Sequence, residues 1–172
     1  MDGVIGMKTM TIRILAAFAL ITGGLFAFAS PAAASSTPQC TRSYTYYGSG
    51  YWEQYPAGWN STYSVWSQGC WLSYGSSNAG VKQLQSDINN CYTRTDWGGV
   101  NLGIARLTVD GSYGAKTKAA VIAVQKYERS HGNPYLAVDG VYGPNTAYTM
   151  DHTGAWSGVG YRCWHYKEPV LQ

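Results

Sequence analysis

The sequence predicts a mainly α fold, a small three-helix bundle preceded by an aromatic-rich, disulfide-stapled segment of loops and short strands. Three observations carry that prediction. From residue 81 onward, apolar positions recur at helical spacing. An eleven-residue motif appears twice in that half, LTVDGSYGAKT at 107–117 and LAVDGVYGPNT at 136–146. Residues 44–74 instead hold seven Tyr and four Trp among Gly, Ser, Thr and Gln, with no 3.6-residue period.

The N-terminus comes first. Lys8 and Arg13 lead into residues 14–28, nearly all Ala, Phe, Leu and Ile, and Ala32, Ala33 and Ala34 follow. A basic start, a short apolar run and an A-x-A site make a secretory signal. The run is shorter than the roughly 20 apolar residues a spanning helix needs. Residues 1–34 are therefore expected to be a signal peptide cleaved after Ala34, with an uncleaved anchor as the alternative. The remainder, 35–172, keeps ten basic and eight acidic residues. That balance lacks the basic stripe of a nucleic-acid binder.

Four cysteines remain: Cys40, Cys70, Cys91 and Cys163. An even count in an exported chain reads as two disulfides. Zinc is the rival, but no C-x2-C or H-x3-H pair is present. Four cysteines allow three pairings, and the expectation adopted is Cys40–Cys70 with Cys91–Cys163.

Between residues 44 and 74, aromatics alternate with small polar residues in several stretches, which favours short strands and loops. Residues 75–80, GSSNAG, read as a linker. The aromatic segment, 35–79, has three readings: packing against the bundle, stacking on sugar rings, or else partner binding or disorder. Trp and Tyr suit packing and binding alike, having an apolar face and a polar tip.

Three helices are expected after the linker. The first covers about 81–92, with Val81, Leu84, Ile88 and Cys91 on one face. The second covers about 115–129, with Ala120, Val121 and Val124 inward. The third runs from Pro144 to about 152. The tail, 153–172, is expected to fold Trp156, Tyr161 and Trp164 back over the third helix.

The repeated motif reads physically as a tight loop feeding a helix. Asp110 and Asp139 can accept local backbone N–H groups. Gly111 and Gly140 supply positive φ. Gly114 and Gly143 fall at helix N-caps, and Pro144 at a first helical position, where its missing N–H costs nothing. Thr117 and Thr146 can reach back to the loops. Leu107, Val109, Leu136 and Val138 are expected to anchor them.

These pieces together resemble the peptidoglycan-binding domain of the three-helix type with paired D-G-x-x-G-x-x-T loops. The opening V-x-x-L-Q appears as 81–85, and the central A-V-x-x-F-Q as 120–125 with Val124 in place of Phe. The resemblance covers about 80–152. Two departures stand out. Ala147 and Tyr148 replace the Trp usual after the final Thr, and extra residues 93–106, with Trp97, Gly98 and Gly99, follow the first helix. The resemblance implies a non-catalytic anchor that binds glycan strand, stem peptide or both. The expectation adopted is a monomer at the cell wall, without cofactor.

A candidate ligand groove follows from the paired loops. Asp110, Tyr113, Lys118, Gln125, Asp139, Tyr142 and Asn145 are its expected contacts: helix N-termini for carboxylates, Tyr faces for apolar surface, and Lys118 and Gln125 as polar partners. The alternative is that both Tyr are core residues and that Gln125 caps a loop internally. No catalytic constellation stands out. Residues 35–80 contain one acid, Glu53, and no His, whereas a glycosidase needs two carboxylates. His131, His152 and His165 show no metal-ligand spacing. Two other functions stay open: an exported hydrolase or lysin fragment with an unrecognised site, and a secreted structural or interaction protein that has lost glycan binding.

Overall fold

A computed structural model describes residues 37–164, and the expected signal peptide, 1–34, falls outside the described residues. The order of elements is β1 (Arg42–Gly48), β2 (Tyr51–Asn60), β3 (Val65–Ser67), α1 (Ala79–Cys91), α2 (Ala115–His131), α3 (Pro144–Thr149), β4 (His152–Trp156) and β5 (Gly160–Trp164). The three helices fall where the periodicity places them, except that the third stops at Thr149 and residue 152 already begins β4. The fold class does not hold: the chain is α+β, with a five-stranded antiparallel sheet in the order β1-β2-β4-β5 and β3 paired to β2. The physical reason is long-range pairing. The aromatic segment contributes only three strands, and the tail completes the sheet.

The described part of the tail, to Trp164, therefore does not lie as a cover on α3. It forms the β4–β5 hairpin, turning through Gly158 and Gly160 at φ +79° and +85°. β4 then pairs with β2, Tyr51 opposite Trp156 and Gln54 opposite Thr153. β2 serves three neighbours, β1 opposite Tyr51–Ala57, β4 opposite Tyr51–Gln54 and β3 opposite Gly58–Asn60. Pro56 lies between Gln54, the last residue opposite β4, and Gly58, the first opposite β3. A proline, which cannot donate to a ladder, is accommodated in such a gap.

α1 joins the sheet to the other helices because it is buried on two faces. Val81, Leu84, Ile88 and Cys91 pack with Tyr92, Val121, Val124, Tyr142 and Met150 in one core. A second face is polar yet equally buried, with Gln83 and Asp87 closed to solvent. These groups are satisfied mainly by the sheet. Ser43 Oγ donates to Gln83 Oε1 at 2.7 Å, Thr153 N–H donates to Asp87 Oδ1 at 3.1 Å, and His152 Nδ1 meets Asp87 Oδ2 at 2.9 Å. A buried polar group must find such partners or destabilise the fold.

Two disulfides staple the arrangement, Cys40–Cys70 and Cys91–Cys163, as expected. The second ties the end of α1 to β5. The extra residues 93–106 lie beside that bridge. Trp97 stacks on Tyr161 with ring centroids 4.8 Å apart, and Cys163 N–H donates to Trp97 O at 2.8 Å. Residues 75–80 do not act as a free linker. Gly75 N–H donates to Tyr113 O, and Asn78 N–H donates to Gly111 O, at 3.0 and 3.1 Å, so the segment is bonded to the first repeat loop.

Candidate functional site

The two repeat loops share one construction. At the first, Gly111 takes φ +79° and Asp110 Oδ1 accepts the Ser112 N–H at 2.8 Å. Gln85, from the end of the opening V-x-x-L-Q, is buried beneath the loop. Its Nε2 donates to Asp110 Oδ1, Ser112 O and Thr117 Oγ1 at 2.9, 3.0 and 3.2 Å, and its Oε1 accepts Gly111 N–H at 2.9 Å. Thr117 Oγ1 donates back to Ser112 O at 3.3 Å.

The second loop repeats this bond for bond. Gly140 takes φ +71°, and Asp139 Oδ1 accepts Val141 N–H at 2.9 Å. Gln125 Nε2 donates to Asp139 Oδ1, Val141 O and Thr146 Oγ1 at 3.0, 2.9 and 3.1 Å. Its Oε1 accepts Gly140 N–H at 2.8 Å, and Thr146 Oγ1 donates to Val141 O at 3.3 Å. Gly114 and Gly143 are the N-caps of α2 and α3, in extended backbone conformation. Each glutamine thus satisfies a turn that its own helix does not contain. Gln85 was not among the expected contacts. Its signal was available, because a Gln closes both apolar runs, V-x-x-L-Q and A-V-x-x-x-Q.

The expected contacts separate under this geometry. Gln125 is fully buried and acts as the internal clamp. Tyr113 and Tyr142 are also buried, and so present no apolar face to a ligand. Tyr113 instead bridges the two loops, its hydroxyl donating to Gly140 O at 2.9 Å. Burial, chiefly, pushes both phenols up, Tyr142 strongly. A groove with Tyr rings for walls is therefore corrected to a Tyr-filled junction. The reason is desolvation, since each large ring stabilises more by joining the core than by facing water.

Asp110, Lys118, Asp139 and Asn145 remain exposed. The Ser112 N–H, then the Gln85 amide, hold the Asp110 carboxyl below its usual range, so it is a firm anion. The Lys118 stem lies over Gly140 and the Lys82 stem over Gly111. A 220 Å³ depression opens at the second loop, lined by Gln125, Leu136, Asp139, Pro144, Asn145 and Thr146 among others. It brings together Gln125, Asp139 and Asn145. Asp110, Lys118 and the two tyrosines do not line it. Of the loop anchors, Leu136 is buried, Leu107 and Val138 are half-buried, and Val109 is exposed.

Asp87 and His152 form an acid–imidazole pair, a combination used in catalysis, but both side chains are fully buried. His152 Nε2 also meets Ala147 O at 3.0 Å. A carbonyl and a carboxylate both accept, so the ring donates from both nitrogens and is an imidazolium. Burial alone would lower its pKa. The Asp87 bond, the Asp87 charge and then the Glu53 charge outweigh burial, and the net shift is upward. This pair fastens β4 to α1.

Residues 77–150 match the family described as "Putative peptidoglycan binding domain". The match begins just before α1 and ends just after α3, and so includes both clamped loops. No curated protein and no solved structure matches the chain significantly.

Proposed function

We propose that, through the peptidoglycan-binding family domain at residues 77–150, this protein is exported and attaches to the cell wall without cleaving it. The observation that supports this reading best is that the matched segment keeps both D-G loops in the same glutamine-clamped form. Two rigid loops of one geometry are a pre-organised support for the exposed groups around them, which lowers the ordering cost of binding. Asp139 and Asn145, at the mouth of the second-loop depression, are the contacts that reading favours, with Lys118 and Asp110 on the flanking surface. The mixed charges suit the amide, carboxylate and amine groups of a stem peptide or an amino sugar. Two disulfides fit an oxidising, extracellular setting. Among the described residues no helix is long and apolar enough to cross a membrane.

Sedimentation with purified insoluble peptidoglycan tests the proposal. The intact protein should pellet with the polymer and release no soluble fragments. Release of reducing ends or free amines would replace the anchor with a hydrolase. Failure to pellet would remove peptidoglycan as the ligand.

A further inference from the structure

Outside the matched domain, the free ends of two hairpins meet. The β1–β2 turn, at 48–51, lies against the β4–β5 turn, at 156–160, and Ser157 N–H donates to Gly50 O at 2.7 Å. That bond fixes two loops that are separated by some hundred residues of sequence. Between them is a 330 Å³ cavity lined by Gly48, Gly50, Tyr51, Trp52, Ala155, Trp156 and Ser157. None of these residues is an Asp, Glu, Lys, Arg or His.

The cavity adjoins a continuous aromatic floor. Tyr51 contacts Tyr46, Trp156 and Trp164 at centroid distances of 6.0, 6.5 and 4.9 Å, and Trp156 meets Trp164 at 5.7 Å. Trp156 nevertheless keeps 51% of its surface exposed. A large indole exposed beside other rings is unusual for a group that contributes most when buried, and such surfaces commonly bind. The rings come from different strands, and the sheet register fixes them, so little ordering is needed on binding.

We infer that this hairpin-tip platform is a second binding site, and that its occupant is a neutral sugar chain. The chemistry of the lining selects that occupant. An uncharged, aromatic and glycine-opened surface offers stacking faces with backbone and hydroxyl hydrogen-bonding groups between them. A pyranose ring presents the complement, an apolar C–H face with hydroxyls at its edge. A charged peptide would find no ion-pair partner among these lining residues. The inference rests on the peptidoglycan reading for its setting, since the platform and the clamped loops belong to the same compact unit. The platform would read the glycan strand, and the clamped loops the groups attached to it.

The test uses the full chain and the N-acetylglucosamine tetramer, followed by tryptophan fluorescence and by calorimetry, with peptidoglycan sedimentation in parallel. The intact protein should bind the tetramer with a change in Trp emission. Trp156→Ala should weaken that binding about tenfold, the scale of a central aromatic contact. Trp156→Phe, which keeps a ring face, should retain most of it. Trp59→Ala, at an exposed Trp on another part of β2, should leave it unchanged. If Trp156→Ala lowers the melting temperature, Trp156→Leu, apolar but without a π face, replaces it. Absence of tetramer binding by the intact protein overturns the platform, as does full affinity in the Ala and Leu variants. If the intact protein sediments with peptidoglycan but ignores the tetramer, only the platform fails. If it binds the tetramer but not peptidoglycan, the platform stands and the peptidoglycan reading fails.

Discussion

Gln125→Ala removes the clamp of the second loop, and its cost follows from the bonds lost. The side chain is fully buried. Its two N–H hydrogens serve three acceptors, Asp139 Oδ1, Val141 O and Thr146 Oγ1, and its oxygen takes the Gly140 N–H. Counted by hydrogens, that is three bonds, one of them to a carboxylate. At about 1 kcal/mol for each neutral bond and about 1.5–3 for the charged one, the loss is roughly 3–5 kcal/mol. For a domain of this size each kcal/mol lowers the melting temperature by about 3–5 °C, so Tm should fall by roughly 10–20 °C. Gln125→Glu is the sharper control. It keeps the volume and the bond from Gly140, yet aims a carboxylate at Asp139 and two further acceptors, so it should be at least as unstable as Ala. Gln85→Ala should behave like Gln125→Ala, because its four contacts are the same. Circular dichroism melts on oxidised protein measure all three. A fall under about 2 °C for Gln125→Ala, or a Glu variant as stable as wild type, would falsify the clamp as the organiser of the loop.

Further outcomes follow from the same geometry. Gly111→Val and Gly140→Val should each cost more than about 1 kcal/mol, since a β-branched residue resists positive φ. Their added Cβ atoms would also meet Lys82 Cγ at 2.9 Å and Lys118 Cγ at 2.8 Å. Melts unchanged by either substitution would sink this. The bridges close separations of 30 and 72 residues. Loop-closure entropy then assigns about 3.6 and 4.4 kcal/mol to Cys40–Cys70 and Cys91–Cys163, so replacing the second pair by Ala should cost more in a urea titration. The opposite ranking would show that the native contacts around the bridges dominate. His152 is held charged in the folded state with its pKa raised, facing Asp87 and Glu53. Its contribution is full below the unfolded pKa and is lost as pH rises through the folded one. Urea midpoints should therefore fall more steeply for wild type than for His152→Asn as pH rises above the ordinary histidine value of 6.5. Parallel profiles would refute the imidazolium assignment.

The sequence by itself determined whatever depends on local chemistry. Helix positions followed from apolar spacing such as Val81, Leu84 and Ile88, because a face that must be buried repeats with the helix turn. The loop conformations followed from Asp-Gly and the recurring Thr, because an Asx bond and a positive φ need only a few adjacent residues. The internal repeat and the family resemblance rest on those local features. What the tertiary structure decided is what depends on distant partners. Residues 51–54 pair with 153–156 across about a hundred residues, and alternation can suggest a strand but cannot name its neighbour. For that reason the mainly α expectation failed and the tail became a hairpin. The roles of Tyr113, Tyr142 and Gln125 were ambiguous for the same reason. A Tyr or a Gln serves equally well as a ligand contact or an internal strut, and burial against residues far along the chain decides between them. On the second face of α1, Gln83 and Asp87 belong to residue types usually found in water. Only the sheet laid against them, with its own polar groups in register, makes their burial stable.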